Sequence, residues 1–177
     1  IIGRVTRIKK IEDFIHALGK EKDLRETFYP INLFGTIQDS EYFEFLISEA
    51  RKNDIELRFL GTVPYEEIRK NNENYRFVFS GTPKSTDKAL LEACASGCIP
   101  ITSNVETQKL TGADIMWRKI NIECSEKLEH QLIGLSNCSK NELMEFSNLI
   151  STRTKKLNSL ENTVEQIVNL FKIDHQP

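Results

Sequence analysis

Apolar residues recur along the first hundred positions in two alternating rhythms. Ile11, Phe14, Ile15 and Leu18 fall at i, i+3, i+4 and i+7, which sets them on one face of a helix over about residues 9–19. Pro30 then precedes Ile31-Asn32-Leu33-Phe34, a short apolar run ended by Gly35 and suited to a central strand. Helical spacing returns with Phe43, Leu46, Ile47 and Ala50, and Ser40 is placed to cap that helix. Glu56 to Gly61 reads as a strand, Pro64 to Lys70 as a short helix and Arg76 to Ser80 as a strand. Ser85 to Ser96 follows as a helix stopped by Gly97, and Cys98 to Thr102 as one more strand.

Strand and helix thus alternate about every 20 residues, which predicts right-handed βαβ units and a Rossmann-like three-layer α/β sandwich with a mainly parallel sheet. Beyond Thr107 the pattern thins. Asp114-Ile115-Met116-Trp117 reads as an edge strand and Ser125 to Leu135 as a helix, while Leu160, Val164, Ile167, Val168 and Phe171 predict a long C-terminal amphipathic helix. The opening Ile1-Ile2-Gly3-Arg4 reads as the end of a buried strand without its beginning. The expectation is a single domain over residues 1–177, cut from a longer protein.

Composition narrows the function classes. A chain of 177 residues buries about 70% of its unfolded surface, enough for a sizeable core. With 24 Lys and Arg against 26 Asp and Glu the net charge is −2, which argues against binding nucleic acid through a bulk positive field. No apolar stretch approaches a membrane span, so no transmembrane segment is expected. The four Cys form no C-x-x-C and no cluster of ligand spacing, so they read as thiols of a reducing compartment and no metal site is expected.

In parallel α/β sheets ligands bind outside the carboxyl ends of the strands, which directs attention to two loops. Gly3-Arg4-Val5-Thr6-Arg7-Ile8-Lys9-Lys10 carries four cations at the exit of the first strand, chemistry that grips phosphate and equally makes a solvated basic loop. The second runs from Gly81 through Lys84, Ser85, Thr86, Asp87 and Lys88 into a helix bearing Glu92. Free N–H groups at such a helix mouth suit a diphosphate. Among apolar neighbours, Glu92 needs a partner, and either an ion pair or ligand hydroxyls would satisfy it.

Together the two stretches resemble the C-terminal nucleotide-binding domain of group 1, or family four, retaining glycosyltransferases with the two-domain GT-B fold. The resemblance is carried by Gly3-Arg4 with Lys9 five positions on, by Phe59-Leu60-Gly61 with Val63-Pro64-Tyr65-Glu66-Glu67-Ile68, and by Leu90-Leu91-Glu92-Ala93-Cys94-Ala95-Ser96-Gly97-Cys98-Ile99-Pro100-Ile101, in that order over residues 1 to about 112. It implies that Arg4 and Lys9 act catalytically, neutralising the charge that grows on the donor diphosphate. It implies further that Glu92 holds ribose hydroxyls and that the loop around Val63 lies along the base. Transfer would proceed with retention, without a cofactor or required metal, in a cytoplasmic protein whose membrane contact, if any, is peripheral and made by the absent half.

The chain departs from the family pattern where the first Glu of its E-x7-E motif and a following Gly-Phe-Gly are replaced by Lys84 and Ser85-Thr86-Asp87. Lys84 or Lys88 is then a candidate for a phosphate or carboxylate on the sugar, and Ser85 or Thr86 for capping the helix. The expected donor is a nucleotide-diphosphate sugar, and the acceptor, a glycan or a lipid-linked glycan among the candidates, belongs with the absent N-terminal domain. Two alternatives stand beside this reading: a degenerate nucleotide-binding or regulatory module, and half of a sugar-nucleotide epimerase.

Overall fold

The computed structural model describes residues 1–64, 66, 67, 70, 75–83, 85–122, 127–159 and 162. After a 3-10 turn at Arg7–Lys9, the described elements are α1 (Ile11–Gly19), α2 (Lys22–Thr27), β1 (Ile31–Phe34), α3 (Ser40–Lys52), β2 (Leu57–Gly61), β3 (Phe77–Phe79), α4 (Lys88–Ala95), β4 (Ile99–Ile101), α5 (Val105–Thr111), α6 (Ala113–Lys119), α7 (Leu128–Ser136) and α8 (Lys140–Leu157). The expected helix over Leu160 to Phe171 lies outside the described residues, as does most of the expected Pro64–Lys70 helix.

The architecture is a Rossmann-like α/β fold with short parallel strand pairs. β1 pairs with β2 and β3 with β4, both parallel. The opening residues run alongside β1: Gly3 N–H donates to Phe34 O at 2.9 Å, Phe34 N–H donates to Ile1 O at 2.9 Å, and Ile2 bridges Phe34 in parallel. Gly35 carries φ 136°, and a Cβ there would lie 1.9 Å from the Gly3 carbonyl oxygen, so only glycine lets these strand exits cross. Pro100 is accommodated in β4 because Ile99 N–H and Ile101 C=O face β3, which turns the proline nitrogen to the side where, among the described residues, no strand is paired.

Two apolar clusters hold the layers together, and α1 divides its residues between them. Ile11 and Ile15 join Val5, Leu33, Tyr42, Leu46 and Ala50 beneath α3. Phe14, Ala17 and Leu18 face the larger cluster with Val78, Phe79, Leu90, Ile99, Ile101, Met116, Trp117, Leu132, Phe146 and Ile150. Phe14 stacks on Phe79 with ring centroids 4.7 Å apart, joining α1 to β3.

Three sequence expectations are corrected. The cap of α3 is Asp39, whose side chain accepts from Tyr42 N–H at 2.8 Å, and Ser40 is the first helical residue. α4 begins at Lys88 rather than Ser85: Asn104 Nδ2 donates to the carbonyls of Thr82 and Ser85, both at 3.2 Å, and holds that loop outside the helix. Asp114–Trp117 is helical. Ala113, Met116 and Trp117 are all fully buried at i, i+3 and i+4, and a short apolar run of that kind suits a buried helix as well as a strand. Among the described residues no helix is long and apolar enough to cross a membrane.

Candidate functional site

At the carboxyl ends of the strands, the turn after Ile2-Gly3 meets the loop after β3. Gly81 N–H donates to Lys9 O at 3.0 Å, and a Cβ on Gly81 would lie 2.7 Å from that same oxygen, so the close approach of the two loops depends on glycine. The contact fixes the backbone beneath Lys9. Its side chain, 11% exposed, crosses the crevice and forms an ion pair with Asp87, whose side chain is 12% exposed. Lys9 Nζ also donates to Ile2 O at 3.3 Å, and a Cβ on Gly3 would stand 3.0 Å from the ammonium, so glycine leaves room for it.

A polar network backs this pair. Ser80 Oγ donates to Asp87 Oδ2 at 2.8 Å and lies 3.1 Å from Thr82 Oγ1. Behind them Asn104 accepts from Thr107 N–H at 3.1 Å, capping α5 while its amide clamps the Thr82–Ser85 loop. Gln108 Nε2 and Gln131 Nε2 both donate to Thr102 O, at 2.6 and 3.4 Å. Ser80, Thr82, Thr102, Asn104, Gln108 and Gln131 are all buried, and each is held in place by hydrogen bonds. Of these six, Thr82 falls within the stretch that begins at Gly81, and the other five lie outside the sequence motifs. Only Asn104, just before the helical Val105-Glu106-Thr107, carries a local sign in its capping position.

The other candidates are placed less tightly. Arg4 is exposed and has no ion pair among the described residues. Glu92 lies on α4 beyond Asp87, with a side chain 31% exposed, so it is half-buried rather than enclosed. Lys88 Nζ is 3.8 Å from Glu92 Oε1, but Lys88 is 90% exposed, and an i,i+4 pair of this kind is worth only about 0.3–0.5 kcal/mol. Ser85 and Thr86 are exposed, and neither caps α4. Val63 is half-buried in the loop after β2, and Lys84 lies outside the described residues. The structure therefore brings Gly3, Lys9 and Asp87 together directly and places Lys88 and Glu92 on the helix that Asp87 begins.

Cys94 and Cys98 are buried, and burial pushes both thiols up, Cys98 to about 11. Such thiols are protonated at neutral pH and serve as small core groups. Among the described residues no group of three or more His, Cys, Asp or Glu is placed to hold a metal ion.

No family model and no curated protein matches this chain. Solved structures do. The catalytic domain of cholesterol-alpha-glucosyltransferase from Helicobacter pylori is similar with a TM-score of 0.65 and 17% identity, over 89% of this chain and 96% of that one. The N-terminal domain of trehalose-6-phosphate phosphatase from Candida albicans gives 0.67 and 13%, over 96% of this chain and 40% of that one. AviGT4, a glycosyltransferase involved in avilamycin A biosynthesis, gives 0.51 and 16%, over 96% of this chain and 50% of that one. This chain thus spans nearly all of the first neighbour and half or less of the other two. At these identities the likeness is one of fold alone.

Proposed function

We propose that this chain is the donor-binding domain of a retaining GT-B glycosyltransferase, which takes a nucleotide-diphosphate sugar and passes the sugar to an acceptor held by a second domain. The observation that carries the reading is the crevice itself: a buried ammonium, Lys9, delivered by the first turn to the mouth of the helix that bears Glu92. In this role Lys9 and the exposed Arg4 neutralise charge that accumulates on the diphosphate as the bond to the sugar breaks, an effect that grows toward the transition state and so raises rate as well as affinity. Glu92, half-buried and only weakly paired, accepts hydrogen bonds from ribose hydroxyls. Val63 lies with the base, and Lys84, Ser85, Thr86 and Lys88 belong to the sugar end. No metal is required, because the cations are supplied by side chains.

Calorimetric titration with UDP, GDP, ADP and their sugars tests this. Arg4→Ala, Lys9→Ala and Glu92→Gln are each expected to weaken binding by about tenfold to a hundredfold, the cost of losing one charged hydrogen-bond partner. Three folded variants that bind every nucleotide as the wild type does would overturn the assignment. A second reading, a nucleotide-binding module without transfer, is favoured by the ion pair that already occupies Lys9. Sugar transfer by the protein together with its acceptor domain separates the two, and the fold alone cannot, since one fold hosts many functions.

A further inference from the structure

Asp87 stands at the N-cap of α4 with extended backbone, yet its side chain accepts no hydrogen bond from the first turn of that helix. An N-cap Asp ordinarily spends its carboxylate on those N–H groups. Here Oδ2 turns the other way, to the Lys9 ammonium and to Ser80 Oγ at 2.8 Å. Both partners of the ion pair are nearly closed to solvent, so water and salt screen it little. The buried cation of the crevice already has an anion, supplied by the chain.

From this we infer that Asp87 is a resident counter-anion: it fills the anion position beside Lys9, and a diphosphate binds there only by displacing its carboxylate. The inference rests on the reading of the crevice as a donor site and adds its regulation. Ile2 O and Asp87 Oδ2 take two of the three ammonium donors, and a phosphate oxygen brought to the third stands beside the Asp87 carboxylate, so that two anions around one cation repel each other across a poorly screened site. Displacement leaves the carboxylate an alternative, because the first-turn N–H groups of α4 take no bond from it in the observed state. Asp87 thereby sets a threshold. Ligands with one weak negative charge are held off, whereas a diphosphate carries enough charge to take Lys9. Ser80 adds to the threshold by holding the same oxygen.

Calorimetry of wild type, Asp87→Asn, Lys9→Met and the double variant, with pyrophosphate and UDP, GDP and ADP as probes, decides the matter. Asp87→Asn keeps the shape and removes the charge, and it is expected to bind at least about tenfold more tightly than wild type. The gain is expected to vanish in the Lys9→Met background. Thermal melts report folding, and if Asp87→Asn does not fold, Ser80→Ala, which frees the carboxylate from its second hold, is expected to give a smaller gain of the same sign. Folded Asp87→Asn that binds no more tightly than a nucleotide-binding wild type, or a gain that survives loss of Lys9, overturns this inference and leaves the donor site standing. Failure of both wild type and Asp87→Asn to bind any probe overturns the donor-site reading itself, and the inference with it.

Discussion

The two ends of the strands present opposite kinds of space. At the amino ends, between the β1–β2 and β3–β4 pairs, lies a cavity of about 770 Å³ walled by residues such as Phe28, Ile31, Phe77, Cys98 and Leu143. At the carboxyl ends the crevice is crowded with fixed polar groups, Lys9, Asp87, Ser80, Thr82 and Asn104. The cavity is the poorer candidate. The cavity's polar groups, Asn32, Tyr75, Arg76 and Lys140 among them, come from separate segments, whereas the crevice holds an anion and a cation in one registered geometry at the position where parallel sheets bind ligands. Chemistry, not room, distinguishes the two.

That comparison can be broken from either side. Leu143→Ala on the cavity wall is expected to cost about 2–5 kcal/mol of stability, read by denaturant unfolding, while folded protein keeps its nucleotide affinity. A loss of affinity in the folded variant would bring the cavity into the functional site. On the crevice side Asn104→Ala removes the cap of α5 and the clamp on the Thr82–Ser85 loop. Stability is expected to fall by about 0.5–2 kcal/mol for the cap, accompanied by a loss of nucleotide affinity that no stabilising substitution elsewhere restores. Unchanged affinity would mean that the loop needs no clamp.

The smallest effect is electrostatic and lies at the start of α8, whose Lys140 and Leu143 line the cavity. Ser139 and Glu142 form a capping box at the start of α8, and the Ser139 hydroxyl and backbone N–H hold the Glu142 carboxyl below the usual carboxylate range. A carboxyl lowered by folding stabilises the folded state above its unfolded pKa, and that contribution is lost as pH falls through the folded value. Glu142→Gln is therefore expected to flatten the acid limb of the stability curve below about pH 4.5 while leaving nucleotide binding at neutral pH unchanged. An identical acid limb in wild type and variant would show that the box contributes nothing.

Much of the fold was legible because it rests on local rules. Ile11, Phe14, Ile15 and Leu18 are buried as their spacing requires, and the apolar runs at Ile31, Leu57, Phe77 and Ile99 are strands. α8 has a local start signal of its own, Ser139-x-x-Glu142 before Leu143, Phe146 and Ile150. Asp114–Trp117 reads as a strand because the run is too short for the i, i+3, i+4 burial of Ala113, Met116 and Trp117 to stand out from alternation.

The candidate site divides along the same line. The chain's own order of residues fixed which groups stand at strand exits and helix starts, because a βαβ rhythm sends every such loop to one edge of the sheet. It could not fix that Lys9 and Asp87 become partners, since they are separated by 78 positions and meet only when Gly81 lets two loops touch. Nor could it reveal that Asp87, a capping residue by type, turns from its helix to a cation. Local spacing governs backbone hydrogen bonds within a turn, but an ion pair forms only after packing has desolvated both charges and brought them together.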